Sequence, residues 1–99
     1  NGEAIYLGNT EITTFTNSGT ISSNSGHGIN IASGTTIETF TNSGTIQGGN
    51  GSRKNGINIA GSTINTLTNS GTITAINTGV SISSASIQTF TNEKLISSD

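Results

Sequence analysis

The chain has 99 residues, of which 28 are apolar or aromatic, and carries three Lys or Arg, five Asp or Glu and one His for a net charge of −2. Such a length holds one modest domain, and so few apolar residues exclude a wide globular core. The lack of Cys excludes disulfides and thiolate metal sites, the small negative charge offers no general attraction to nucleic acid or anionic lipid, and no apolar run approaches the roughly 20 residues of a membrane-spanning helix.

In chain order, the first apolar element is the alternating pair Ile5 and Leu7, which is followed by the ten-residue stretch ITTFTNSGTI from Ile12 to Ile21. The same two units return as Ile29 and Ile31 with IETFTNSGTI (37–46), as Ile57 and Ile59 with INTLTNSGTI (64–73), and as Val80 and Ile82 with IQTFTNEKLI (87–96). Aligned on their Phe or Leu, the repeats put Phe15, Phe40, Leu67 and Phe90 in one column, at steps of 25, 27 and 23 residues. Asn, Thr, Ser and Gly make up 60 of the 99 residues, a bias that alone suits a disordered segment. The fixed spacing of the 15 Ile argues instead for a repeating strand unit, and the absence of Pro agrees with a chain spent in hydrogen-bonded ladders.

A period of this size predicts a solenoid. Ile5 and Leu7 alternate as strand residues do, and Phe15, Asn17, Gly19 and Ile21 lie two apart, whereas Ile12 and Phe15 lie three apart and need a bend if both point inward. Each coil therefore reads as three short strands separated by corners: the GINI pair, the TFTN segment and the GTI segment. The expected fold is an all-β, right-handed parallel β-helix of about four coils of 23–27 residues, bounded near 4–28, 29–56, 57–79 and 80–99. The left-handed form needs a six-residue repeat, which is absent. Starting at Asn1 instead of Met, the chain reads as one solenoid segment of a longer protein.

Stacking turns the columns into ladders, with Phe15, Phe40, Leu67 and Phe90 in the core. Asn17, Asn42, Asn69 and Asn92 are expected to form an internal asparagine ladder at the strand end, although the same residues could make Asx turns facing water. Gly19, Gly44 and Gly71 follow in register and are expected to serve a positive φ or a close approach between coils. The fourth repeat departs here, with Glu93 and Lys94 in place of Ser-Gly.

Length variation is confined to the link leading to the next GINI pair, which runs from Ser22 to Gly28, from Gln47 to Gly56 and from Thr74 to Gly79. Variable loops on one edge of a solenoid commonly carry binding. His27, Asn50, Arg53 and Lys54 on the first two links are therefore candidate ligand contacts, a small basic patch suited to an anionic glycan or phosphate. A solvated Gly-rich loop has the same composition.

Catalytic chemistry is sparse. Glu11 and Glu38 flank the first Ile of consecutive repeats, and paired carboxylates serve glycosidases, yet one precedes its Ile and the other follows, which predicts different sides of the bend. No catalytic, metal-binding or cofactor-binding residues are expected, with one His, no Cys and the only Asp at position 99. Thr14, Thr16, Thr39, Thr41, Thr66, Thr68, Thr89 and Thr91 flank the inward column and should project outward as two parallel ranks. That grid resembles the flat Thr-x-Thr faces of solenoid ice-binding proteins; Thr is also simply favoured on the wet side of a strand.

Repeats of the form I-x-T-F-T-N-S-G-T-I joined to G-I-N-I resemble, over about residues 4–96, the β-helical passenger regions of Gram-negative autotransporters and related secreted adhesins, including vacuolating-cytotoxin-like passengers. The resemblance implies a surface-exposed extracellular stalk associated with virulence and carries over no catalytic residue. The expected function is a non-enzymatic structural and adhesive segment that displays loops to a host surface protein or glycan. The alternatives are an ice-binding solenoid, a polysaccharide-processing β-helix or a phage fibre. Its expected partners also include neighbouring coils of the same chain or end-to-end copies, but not nucleic acid or a membrane interior.

Overall fold

The computed structural model describes residues 4–50, 54–93 and 95–98, and within them the chain forms twelve β-strands and no helix. They recur in threes: β1 (Ile5–Leu7), β2 (Glu11–Asn17) and β3 (Thr20–Ser22), then β4 (Ile29–Ile31), β5 (Thr36–Asn42) and β6 (Thr45–Gln47). The third set is β7 (Asn55–Ala60), β8 (Thr63–Asn69) and β9 (Thr72–Ala75), and the fourth is β10 (Thr78–Ser83), β11 (Ser86–Asn92) and β12 (Leu95–Ser98). Each strand pairs in parallel with its counterpart one coil away, giving three four-stranded sheets ordered β1-β4-β7-β10, β2-β5-β8-β11 and β3-β6-β9-β12. The result is a β-solenoid with three strands per coil, as the period predicts.

Register follows the sequence columns. Ile5, Ile29, Ile57 and Val80 stack in the first sheet, and Phe15, Phe40, Leu67 and Phe90 stack in the second. In the third sheet, Ile21, Ile46, Ile73 and Ile96 do the same. A one-residue slip would turn every Ile outward, so burial of one face fixes this pairing. The Phe15 and Phe40 rings lie 4.7 Å apart with planes 3° from parallel, a stacked pair set by the strand spacing.

The core consists of five inward residues from each of the two middle coils. Ile29, Ile31, Ile37, Phe40 and Ile46 from one, and Ile57, Ile59, Ile64, Leu67 and Ile73 from the other, are completely buried. Their counterparts in the outer coils are partly covered or, for Ile82 and Phe90, exposed, because each has a described coil on one side only. Burial of each such side chain contributes on the order of 1.5–3 kcal/mol. A polar chain folds around this narrow axis because stacking concentrates its few apolar residues there.

The strand boundaries differ from the sequence expectation at one point. Ile12 and Phe15 both point inward, but the bend between them lies inside the continuous seven-residue strand β2 and not at a corner. Thr13 and Thr14 are both exposed, and the paired register steps from Ile12 directly to Thr14. The same step recurs in β5, β8 and β11, so the strand turns by placing two successive residues outward without ending.

Two corners use different backbone devices. Between the first and second sheets each coil has one residue with positive φ: Asn9 (51°), Gly34 (82°), Gly61 (61°) and Ser84 (51°). Between the second and third sheets Gly44 and Gly71 have no positive φ, and close approach is what requires glycine there. A Cβ on Gly44 would run into the carbonyl oxygen of Gly19, and one on Gly71 into that of Gly44, while Gly19 has open space.

Candidate functional site

The asparagine column is internal. Asn17 Nδ2 donates to Asn42 Oδ1 at 2.8 Å, Asn42 Nδ2 to Asn69 Oδ1 at 2.8 Å and Asn69 Nδ2 to Asn92 Oδ1 at 2.9 Å. Each of the three donors also contacts the carbonyl of the glycine two residues on, at 3.1, 3.2 and 3.0 Å for Gly19, Gly44 and Gly71. Asn42 and Asn69 are fully buried, so these bonds replace water that cannot reach them. The ladder is a structural element with no free valence in the middle coils for a ligand. Glu93 N–H donates to Asn69 O at 2.8 Å, as Ser43 and Ser70 donate to Asn17 O and Asn42 O, so the fourth coil enters this corner in the same way. Lys94 lies outside the described residues.

A second amide network runs along the first sheet, from the exposed Asn77 through the buried Asn55 to the half-buried Asn58 and Asn30. Asn58 Nδ2 donates to Asn30 Oδ1 at 3.0 Å, Asn55 Nδ2 to Asn58 Oδ1 at 3.1 Å and Asn77 Nδ2 to Asn55 Oδ1 at 3.2 Å. Sequence reasoning missed it, although the repeated G-I-N-I places Asn30 and Asn58 in one column.

The links between the third and first sheets lie against one another. Gly49 N–H donates to Gly26 O at 2.7 Å and Asn50 N–H to Asn24 O at 3.1 Å, so the longer link rests on the shorter one. The expected cationic cluster is not assembled there among the described residues. His27 points inward and is 9% exposed; its Nδ1 accepts the backbone N–H of Asn55 at 2.9 Å. That bond requires a neutral ring with its proton on Nε2, which makes His27 a brace between two links and not a surface contact. Lys54 is half-buried, Asn50 is exposed and Arg53 lies outside the described residues.

Beside these links is an open cleft of about 280 Å³, lined by Ser23, Asn24, Gln47, Asn50, Thr74 and the exposed Ile76, with the Gly48 and Gly49 backbone at its floor. Among the described residues its lining is amide, hydroxyl and the aliphatic side chains of Ala75 and Ile76, with no ionisable group. A neutral polar ligand with an apolar face matches such a lining better than a phosphate does.

Glu11 and Glu38 line a second open depression, of about 270 Å³, with Ile12, Thr13 and Thr36. The sequence reading separates the two carboxylates, but both project outward, because the positions on either side of the inward Ile face the same way. No group of three or more His, Cys, Asp or Glu suited to a metal ion occurs among the described residues.

The eight threonines form the two expected ranks. Thr14, Thr39, Thr66 and Thr89 pair in one line, and Thr16, Thr41, Thr68 and Thr91 in the other, on either side of the inward Phe column. All eight are exposed or half-exposed. Along the strand the ranks are separated by about 7 Å, and successive coils by about 4.8 Å.

Comparison of the chain with family models, curated proteins and solved structures finds no match.

Proposed function

We propose that this chain is a non-enzymatic display segment: a stiff β-solenoid that holds the variable links at one edge for contact with a host surface protein or glycan. The observation that carries the reading is the cleft beside those links. Its lining of Asn24, Gln47 and Asn50 amides around Ile76 can hydrogen-bond sugar hydroxyls while an apolar sugar face rests on the side chain. On this proposal the chain is part of a secreted, surface-exposed adhesin of the autotransporter-passenger type, and the repeat motif supplies that part of the argument.

Glycan-array and cell-binding assays test it. The parent is compared with a variant whose Gln47–Gly56 link is cut to the six residues of the Thr74–Gly79 link. Binding by the parent that the variant loses supports the reading; equal binding by both removes the link from it, and no binding by the parent overturns it.

The Thr ranks favour a second reading, ice binding, because eight hydroxyl and methyl groups lie in register on one sheet face. Thermal hysteresis by the parent that is lost on Thr39→Tyr with Thr66→Tyr supports this reading. No hysteresis in the parent ends it.

A further inference from the structure

We propose that His27 is a pH switch for the link edge: the neutral ring ties the links between the third and first sheets together, and protonation releases the 47–56 link that lines the cleft. As a regulation of the cleft this rests on the display reading above, whereas the release itself does not. The sequence has one His and no Cys, so no other side chain of ordinary pKa changes its charge between about pH 5.5 and 8.

That one group sits at a junction. His27 Nδ1 accepts the Asn55 N–H at 2.9 Å, and the side chain is about nine-tenths buried. The other polar groups of Asn55 are also engaged. Its carbonyl accepts the Gly28 N–H at 3.0 Å, its Nδ2 donates to Asn58 Oδ1 at 3.1 Å, and its Oδ1 accepts from Asn77 at 3.2 Å. Asn55 thereby joins the 22–28 link, strand β7 and the 74–79 link. Asn77 follows Ile76 at the cleft wall. On the cleft floor, a Cβ added to Gly48 would run into the Asn55 carbonyl. A shift of Asn55 is therefore felt on two sides of the cleft.

Protonation puts a hydrogen on both ring nitrogens. Nδ1 then ceases to accept, two N–H groups oppose one another, and the Asn55 N–H loses its acceptor where water does not readily reach. Burial also disfavours the charged ring. Among the described residues, the three links and the strands they join carry one charged side chain, Lys54 beside Asn55, and Tyr6 lies on β1; Glu3 and Arg53 lie outside the described residues. A second positive charge near Lys54 is disfavoured, and none of those described segments carries a carboxylate to offset it. The contribution of the bond is thus complete above the ordinary histidine range of about 6.5 and is lost as pH falls below it. Local opening is the expected response, because the link is held by single loop hydrogen bonds such as Gly49 N–H to Gly26 O, whereas β5 and β8 are paired on both sides.

Heteronuclear NMR on the full chain tests the release without a ligand. From about pH 8 to 5.5 the Asn55, Gly49 and Asn77 amides are expected to shift on one titration shared with the His27 ring. The protection factor at Asn55 is expected to fall roughly tenfold or more, while Phe40 and Leu67 keep theirs. His27→Asn, whose Oδ1 accepts the same N–H at any pH in this range, is expected to keep the parent's circular dichroism and lose the titration. Parent amides that do not move, an equal fall in protection at Phe40 and Leu67, or the same titration in His27→Asn would each overturn the proposal. For a glycan captured by the array, affinity is expected to fall roughly tenfold over that range in the parent and less than about twofold in His27→Asn. Affinity independent of pH in the parent would overturn regulation of the cleft. Capture of no glycan at any pH would overturn the display reading and the regulation with it, while the amide titration still decides the release.

Discussion

Replacing Asn42 with alanine tests whether the buried ladder is a stabilising element or a passive consequence of the repeat. The side chain accepts from Asn17 and donates to Asn69, both at 2.8 Å, and its Nδ2 lies 3.2 Å from both Gly44 O and Thr72 O. Truncation leaves the Asn17 amide only its longer contacts to Gly19 O and Thr45 O and takes the Asn42 donor away from Asn69 Oδ1, where water cannot readily reach, at about 1–3 kcal/mol for each bond lost. A small cavity adds to this, so the expected loss is about 3–4 kcal/mol. A domain of this size is stable by only about 5–15 kcal/mol, and each kcal/mol moves Tm by about 4–8 °C. Asn92→Ala removes a single acceptor from an exposed residue in the last coil and should cost under about 1 kcal/mol. Urea unfolding followed by circular dichroism, at concentrations where the chain is monomeric, measures both. Equal losses for the two variants, or a loss below about 1 kcal/mol for Asn42→Ala, would refute the reasoning.

Three further outcomes follow from the same geometry. Gly44→Ala and Gly71→Ala should each cost about 1–3 kcal/mol in urea unfolding, because the added carbon meets a fixed carbonyl, whereas Gly19→Ala should stay within about 0.5 kcal/mol. Phe40→Ala, at a fully buried site stacked on Phe15, should lose about 3–5 kcal/mol, and Phe90→Ala clearly less, as Tm values will show. His27→Ala leaves the buried Asn55 N–H without its acceptor and should cost about 1–3 kcal/mol, with faster amide exchange at Asn55 by NMR.

Parallel stacking is what made the scaffold readable in advance. Because each position packs against the same position one coil away, Ile, Phe and Asn recur at fixed spacing, and the strand columns and asparagine ladder can be drawn from the repeats. The positive-φ corner is not readable from the repeats, since Asn9, Gly34, Gly61 and Ser84 share a backbone conformation but no single residue type. The bend after Ile12 looked like a corner because simple alternation has no provision for two successive outward residues inside one strand. His27 suggested a surface contact because a polar residue between two glycines usually faces water, and only the neighbouring link reveals the N–H that draws it inward. The cleft was only partly foreshadowed. The unequal links point to that edge, but Ile76 and the amides around it come together through the stacking of three links.

Residue-resolved amide hydrogen exchange tests the stacked-coil account most directly. The account predicts continuous protection along β5 and β8, which are paired on both sides, and alternate protection along β2 and β11, which are paired on one side. In β5 and β8 the slowest amides should lie next to Phe40, Asn42, Leu67 and Asn69, within the fully buried columns. Uniformly fast exchange, or equal protection in the middle and outer coils of the monomer, would contradict it.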